Sequence, residues 1–311
     1  MKIQPTFAGH TINIIPSSRP TNLEKNISNR LNIKPTPTEV KKFENGETYV
    51  NIKQDVRNND VYIMPALGTA VNDNLMETYL KADAARRMGA HRIIAILPNF
   101  PYGRQERKTE PGEPISARLN MALLHASGVD EVITTDLHAP ALQGFAREIT
   151  MTELTSVDKM VKYFKEKKLN KKELVVVSPD LGGVKRADKF AQQMGCDKAV
   201  IYKNRLAHNQ AKAEQLLGDV KGKDCILYDD MIDTAGTITE AAKMLDDNGA
   251  RNIYICAAHG LFNGSAIEKL KKVPSIKEIV VTNSENKPLY EKIKQVDISD
   301  DIANKMLDIS A

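Results

Sequence analysis

The run Cys225-Ile-Leu-Tyr-Asp229-Asp230-Met-Ile-Asp233-Thr234-Ala235-Gly236-Thr237 concentrates chemistry-bearing residues just before a helical pattern. An apolar strand ends in two adjacent carboxylates, and a small-residue loop then opens a helix. Backbone N–H groups of such a loop, with the helix dipole behind them, form a site for an anion. The Thr234 and Thr237 hydroxyls add donors to a phosphate. Asp229 and Asp230 repel a phosphate, but they accept hydrogen bonds from sugar hydroxyls or hold Mg²⁺ through water. The alternative is an ordinary β–α turn with an N-cap threonine.

Other segments carry weaker signals. Asp136-Leu137-His138 ends an apolar run, the position where ligand-binding side chains sit in open α/β sheets, although a lone histidine is also a common structural residue. Ser178-Pro179-Asp180-Leu181-Gly182-Gly183 ends another run with a carboxylate, which could serve a ligand or cap the next helix. Arg104-Gln105-Glu106-Arg107-Lys108 leads into the Pro/Gly-rich stretch Thr109–Pro114, reading as a solvated loop or as a mobile lid over polyphosphate. Lys203-Asn204-Arg205 places two cations directly after the run Ala199–Tyr202. Phe43-Glu44-Asn45-Gly46-Glu47 offers an aromatic face, an amide and a carboxylate, enough to stack on adenine and bond its edge, or simply to make a turn.

The elements that must position these groups alternate along the chain. Strand candidates are Val61–Met64, Arg92–Pro98, Glu131–Leu137, Leu174–Ser178, Ala199–Tyr202, Cys225–Asp229, Asn252–Ala257 and Glu278–Thr282. They are nearly continuous apolar runs, the mark of parallel strands covered on both faces. Between them lie helical patterns at Asn74–Met88, Ser116–Ser127, Val184–Met194 and Thr237–Asp247. The alternation predicts an α/β fold with mainly parallel sheets flanked by helices. The first 55 residues read as polar turns around an alternating piece, Thr48–Lys53, with Gly46 closing a turn before it.

A repeat points to two copies of one fold. Asp60 opens a strand and Gly89-Ala90 closes the following helix; Asp224 and Gly249-Ala250 do the same in the second half. Only the second copy carries the acidic Thr/Gly loop after its strand, which predicts one sugar-phosphate site per chain. The domains are expected at 1–148 and 149–311, with the seam in Gln143–Ser156, where no strand pattern holds, and the C-terminal end returning to the first domain.

Composition removes other classes. The chain has 311 residues, 41% apolar and 27% charged, with a net charge of +4, too small an excess for a nucleic-acid-coating protein. Its apolar runs are strand-sized and too short to span a bilayer, and Met1-Lys2-Ile3-Gln4-Pro5 carries no signal-peptide core. Three cysteines (Cys196, Cys225 and Cys256) lack CxxC spacing, which disfavours zinc ribbons and disulfide scaffolds and places the chain in a reducing cytoplasm. Trp is absent and aromatics are 5%, against a single-strand stacking platform.

The Asp229–Thr237 run resembles the phosphoribosyl-pyrophosphate (PRPP) loop of type I phosphoribosyltransferases and their relatives. Taken with the Phe43, Arg104, His138, Asp180 and Lys203 segments, and with Asn72-Asp73-Asn74-Leu75-Met76-Glu77, Pro114-Ile115-Ser116-Ala117 and Gln143-Gly144-Phe145, the chain resembles the ribose-phosphate pyrophosphokinase (PRPP synthetase) family from Phe43 to about Ile298. The resemblance implies two phosphoribosyltransferase-like domains and transfer of pyrophosphate from Mg-ATP to the C1 hydroxyl of ribose 5-phosphate, giving PRPP and AMP. It implies that Asn45, Gly46 and Glu47 contact the adenine on which Phe43 stacks, and that Arg104 and Gln105 bind ATP. His138 and Asp180 would hold Mg²⁺, and Lys203 would be the catalytic lysine with Arg205 beside it on substrate phosphate. Asp229, Asp230, Asp233, Thr234, Ala235, Gly236 and Thr237 would bind ribose 5-phosphate. A homo-oligomer, commonly a hexamer built from dimers, is implied too, with the Phe43 motif reaching adenine across a subunit boundary. The chain departs from the family's usual residues at Asn45, Glu106, Ala141 and Ala235. Two other readings remain: a phosphoribosyltransferase that uses PRPP, which leaves the Phe43, Arg104 and Lys203 segments without a role, and a non-catalytic synthetase-associated regulator.

Overall fold

A computed structural model describes residues 6–7, 10–64, 66–204, 213–287 and 290–311, with the backbone alone at 6–7, 203–204 and 213–214. The elements run β1 (Thr6–Phe7), β2 (His10–Ile15), α1 (Asn22–Leu31), β3 (Thr38–Lys42), β4 (Thr48–Ile52), β5 (Asp60–Ile63), α2 (Val71–Arg87), β6 (Arg92–Ile96), α3 (Ser116–Ala126), β7 (Glu131–Thr135) and β8 (Thr150–Leu154). They continue α4 (Val157–Glu166), β9 (Leu174–Ser178), α5 (Val184–Met194), β10 (Asp197–Asn204), β11 (Ala213–Leu217), β12 (Asp224–Ile232), α6 (Gly236–Asp247), β13 (Asn252–Gly260), α7 (Ala266–Lys271), β14 (Ile276–Thr282), β15 (Ile293–Val296) and α8 (Ser299–Ser310). The chain divides into a first unit, 1–155 with 284–286 and 297–311, and a second, 156–283 with 287–296. No helix among the described residues is long and apolar enough to cross a membrane.

The first unit is built on a six-stranded sheet in the order β1-β2-β5-β6-β7-β8, parallel from β2 to β8, with the β3–β4 hairpin separate. Alternate residues of each strand face opposite sides of a sheet. Val61, Ile63, Ile93 and Val132 accordingly pack with α2 and α3 through Ala82, Ala85, Met121 and Leu124. Tyr62, Ile94, Ile96 and Ile133 pack on the other face with Leu23 and Ile27 of α1 and Ile302 and Met306 of α8. The Tyr62 hydroxyl donates to the Met306 carbonyl (2.8 Å) and Arg92 to the Ile309 carbonyl (2.7 Å), so α8 belongs to this core.

The second unit has seven strands in the order β11-β10-β9-β12-β13-β14-β15, parallel except for β11. Val175, Val177, Cys225, Leu227 and Ile255 meet α6 and α7 on one face, while Val176, Ile226 and Cys256 meet α4 and α5 on the other. Burying each such side chain contributes about 1.5–3 kcal/mol, which is why these strands read as unbroken apolar runs.

The repeat has a shared geometry. Gly89 and Gly249 end α2 and α6 with φ of +81° and +79°, a left-handed stop that glycine adopts without steric cost. Asp60 and Asp224, both buried, each meet the residue two beyond the stop: His91 Nδ1 lies 2.9 Å from Asp60, and Arg251 donates two 2.9 Å bonds to Asp224.

Four sequence expectations are corrected. Residues 150–154 form β8, paired parallel to β7, within the stretch read as lacking a strand; its polar Thr-Met-Thr-Glu-Leu reflects an edge position with one neighbour. The first 55 residues hold a buried strand, β2, and a helix, α1, capped by Thr21 (Glu24 N–H to Oγ1, 3.2 Å), beside the anticipated turns. α4, rich in lysine outside its apolar stripe, was not anticipated. β10 extends through Asn204, so Lys203 lies within a strand, opposite Glu214, and not after one.

Candidate functional site

The second unit brings three of the expected acids together at a place set by its winding. The sheet passes outward from β9 to β10 on one side and from β12 to β13 on the other, so its order reverses between β9 and β12. The carboxyl ends of strands flanking such a reversal bound the crevice where open α/β sheets take ligands. β12 pairs with β9 only as far as Leu227 opposite Val177, then continues against β13 to Ile232. Asp229 and Asp230 therefore protrude past the end of β9, beside the loop that carries Asp180.

That loop is held tightly. Asp180 accepts from the Gly183 amide (3.0 Å), and the Ser178 hydroxyl donates to the Asp180 carbonyl (2.7 Å). A Cβ on Gly183 would come within 2.8 Å of the Ser178 Oγ, so the turn needs glycine for close approach. The Asp229 carboxyl accepts from the Asp230 amide (2.8 Å). Burial, with the charges of Asp230 and Asp180 adding to it, holds Asp229 well above the usual carboxylate range. A carboxyl poised this way gains from any cation or hydroxyl donor brought to it. Arg186, on the first turn of α5, donates to Asp230 (2.8 Å) and lies 3.8 Å from Asp229.

The loop after β12 completes the group. Ala235 stands at φ 59°, ψ 13°, a left-handed conformation that costs an L-residue about 1–2 kcal/mol, and it caps the start of α6. Asp233 accepts from the Asn263 side-chain amide (2.9 Å), and its carbonyl accepts from the Asn263 backbone (3.0 Å). Lys287 donates to the Asn263 amide oxygen (2.9 Å), and Lys269 to the Thr234 carbonyl (3.1 Å). Thr234 and Thr237 are exposed, with Gly236 between them partly so. The loop thus carries two exposed hydroxyls, with Lys269 and Lys287 bonded beside it and the carboxylates of Asp229 and Asp230 just before it.

The first unit holds the remaining described candidates. Phe43, Asn45, Gly46 and Glu47 form the turn joining β3 to β4, closed by Phe43 N–H to Glu47 O (2.8 Å) and Gly46 N–H to Phe43 O (2.9 Å), with Gly46 at φ +89°. Asn45 accepts from the Glu47 amide (3.1 Å). Phe43 is 50% exposed and meets Tyr49 edge-on at 5.9 Å. Lys42 bonds Asp73 on α2 (2.7 Å), and Tyr102 bonds Asn72, so the first turn of α2 ties down both this hairpin and the loop after β6. In that loop Arg104 and Gln105 are exposed, and Gln105 accepts from the Ser116 hydroxyl (2.5 Å). The rest of the basic segment closes on itself, Glu113 accepting from the amides of Thr109 (2.6 Å) and Glu110 (3.0 Å). His138 follows β7, whose exit bends at Asp136 (φ 44°) and is held by Glu153 accepting from the Leu137 amide (2.9 Å). β6 and β7 are parallel neighbours, so the Arg104 and His138 loops leave the same edge of the sheet. Of the two cations in the 203–205 motif, Lys203 is described by backbone alone and Arg205 lies outside the described residues.

Sequence reading missed Arg186 and Asn263. The pattern Gly182-Gly183-Val-Lys-Arg186 after Asp180 carried a usable signal, a cation one turn into a helix that starts at a carboxylate; Asn263 carried none.

Two family models match the chain: the N-terminal domain of ribose phosphate pyrophosphokinase over residues 12–128, and the phosphoribosyl synthetase-associated domain over residues 203–310. The chain is 41% identical to ribose-phosphate pyrophosphokinase of Clostridium acetobutylicum over 294 residues, covering 94% of this chain and 92% of that protein. It is also 41% identical to ribose-phosphate pyrophosphokinase A of Dictyostelium discoideum, with the same coverage. The crystal structure of phosphoribosylpyrophosphate synthetase from Mycobacterium smegmatis superposes with a TM-score of 0.90 at 33% identity, covering 96% of this chain and 98% of that one. With the acid pair and the Thr234–Thr237 loop standing at the winding reversal of a chain alike over nearly its whole length, this protein belongs to the ribose-phosphate pyrophosphokinase family of enzymes.

Proposed function

We propose that this chain transfers the β,γ-pyrophosphoryl group of Mg-ATP to the C1 hydroxyl of ribose 5-phosphate, forming PRPP and AMP. The observation that carries the reading is the Asp229–Thr237 segment: an acid pair for the sugar followed by an anion loop for its 5-phosphate. Asp229 and Asp230 accept from the sugar hydroxyls, and Asp233, Thr234, Ala235, Gly236 and Thr237 enclose the phosphate. The exposed Phe43 ring stacks on adenine, Asn45, Gly46 and Glu47 bond its edge, and Arg104 and Gln105 take the ATP phosphates. Lys203 and Arg205 carry positive charge to the transferring group. Phosphoryl chemistry of this kind needs positioning and charge more than covalent help. Orienting the C1 oxygen in line with the β-phosphorus supplies much of the rate.

The donor set fits Mg²⁺. Asp180, Asp229 and Asp230 offer carboxylate oxygens at one crevice, where burial and the neighbouring acids push the Asp229 carboxyl up. Among the described residues no group of three or more His, Cys, Asp or Glu side chains is placed to hold a metal ion by itself. Mg²⁺ at phosphoryl-transfer sites is bound through one or two carboxylates together with substrate phosphates. Asp180 in the second unit and His138 in the first would each serve a Mg²⁺ site, and the ion when bound would neutralise charge on the phosphates. The protein acts in the cytoplasm as a homo-oligomer built from dimers.

The test is to supply ribose 5-phosphate and Mg-ATP and follow AMP and PRPP by ³¹P NMR. AMP formed in step with PRPP is expected. Turnover of PRPP with a free base but no AMP would make the chain a phosphoribosyltransferase, and no turnover with either would make it a regulator.

A further inference from the structure

α5 delivers a cation to the acid pair from the opposite side to the sugar loop. Asp230 alternates with Asp229 along β12: odd residues (Cys225, Leu227) face α6, while even ones (Ile226, Tyr228) face α4 and α5. Asp230 therefore points to the α5 face, and Arg186 rises from α5 to meet it at 2.8 Å. The same guanidinium nitrogen lies 3.8 Å from the Asp229 oxygen that accepts the Asp230 amide. One guanidinium nitrogen thus bonds Asp230 and stands beside Asp229, and the two acid side chains are 15% (Asp229) and 4% (Asp230) exposed against 30% for Arg186. Arginine alone offers a planar, permanently charged fork; a lysine supplies the charge without the fixed directions. Arg186 also rides on the helix whose N-terminal Gly183 amide is bound by Asp180, so the three acids share one rigid support.

We infer that Arg186 is a positioning residue for ribose 5-phosphate, acting through Asp229 and Asp230 to hold both carboxylates as acceptors for the sugar hydroxyls. This rests on the proposed assignment of that acid pair to the sugar. Without Arg186 the buried acid pair loses a charged donor, and the repulsion between the two carboxylates weighs more. The cost falls on the sugar, because the side chains Arg186 meets are the acid pair assigned to it.

The test uses the full chain with Arg186→Gln and Arg186→Lys, measured by steady-state kinetics and by calorimetric binding of ribose 5-phosphate in the presence of Mg-α,β-methylene ATP. Removing a hydrogen bond to a buried charge corresponds to about a 10- to 100-fold loss. Arg186→Gln should raise KM and Kd for ribose 5-phosphate by that factor, with KM for Mg-ATP moved by less than about threefold on the same reasoning. Arg186→Lys should fall between the two, and it keeps a folded reference should the glutamine variant lose structure. In an Asp230→Asn background, Arg186→Gln should add less than about twofold, since coupled residues are not additive. Unchanged ribose 5-phosphate affinity in both single variants, equal rises in both KM values, or full multiplicity with Asp230→Asn would overturn the positioning role while leaving the activity intact. Wild-type chain that neither binds nor turns over ribose 5-phosphate would overturn the site assignment and this role together.

Discussion

Lys81 offers the sharpest test of how the first unit is held. Its side chain is 0% exposed, on α2, and its ammonium donates to the Pro16 carbonyl (2.6 Å) and to Glu77 (2.5 Å). Glu77 in turn accepts from the Ser18 amide (2.9 Å), while Glu24 on α1 accepts from the Ser17 hydroxyl (2.9 Å). Burial works to raise the Glu77 carboxyl, but Lys81 overrides it and leaves the group below the usual range. Burial wins at Glu24, whose carboxyl stays above that range. Lys81→Met keeps the stem volume and removes the charge, leaving Glu77 and Glu24 as buried carboxylates without a cation and the Pro16 carbonyl without its donor. Breaking a buried pair from one side costs about 3–5 kcal/mol, a large share of a typical stability of about 5–15 kcal/mol. For a unit of this size the melting temperature should fall by about 6–20 °C. Urea unfolding followed by circular dichroism, with Lys81→Met, Glu77→Gln and the double variant, measures the effect. The double variant should recover part of the loss, because neutralising Glu77 removes one stranded charge. In wild type the depressed Glu77 stabilises above the ordinary glutamate value, and this contribution is lost as pH falls through the lowered one. In Lys81→Met, burial raises Glu77 instead, so the deficit should shrink on acidification as the carboxyls take up protons. A cost below about 1 kcal/mol, or strict additivity in the double variant, would refute the claim that a charged pair holds this network.

Three further outcomes are expected. Asn263→Ala strips Asp233 of its side-chain donor and Lys287 of its acceptor, and KM for ribose 5-phosphate should rise about tenfold; a change below about twofold, against an unmoved KM for ATP, would remove Asn263 from the site. Gly218→Ala places a methyl 2.6 Å from the Ala199 Cβ at φ +125°, costing about 2–4 kcal/mol in urea melts, whereas Gly222→Ala, with open space and φ +69°, should cost only about 1 kcal/mol. Although burial opposes it, bonds from Arg251 and Asn252 hold the Asp224 carboxyl below the usual range, so its contribution is present above the ordinary aspartate value and disappears as pH falls through the lowered one. Asp224→Ala should cost about 1–3 kcal/mol near neutrality and flatten that acid limb; identical acid slopes in wild type and variant would contradict the assignment.

The sequence by itself determined the parallel strands, the helices between them, and the acid pair with the small-residue loop after it. Strands covered on both faces must be apolar at every position, and the Leu174–Ser178 and Cys225–Asp229 runs record this directly. The Asp60/Gly89 and Asp224/Gly249 echo likewise records a local need, a left-handed stop and a buried strand-opening acid. Where burial is one-sided or partial the record fades. β8, an edge strand, shows polar alternation, and α4 shows lysines around a narrow apolar stripe. Only the tertiary structure decided which side chains meet. Arg186 reaches Asp230 across 44 positions of chain, and Asn263 reaches Asp233 across 30. Nothing local forces either contact: each follows from the sheet winding outward in both directions from β9 and β12, which brings a helix face and a distant loop against the same strand end. Spacing along a chain encodes which face a residue occupies, whereas the partner across that face is set by how the layers close.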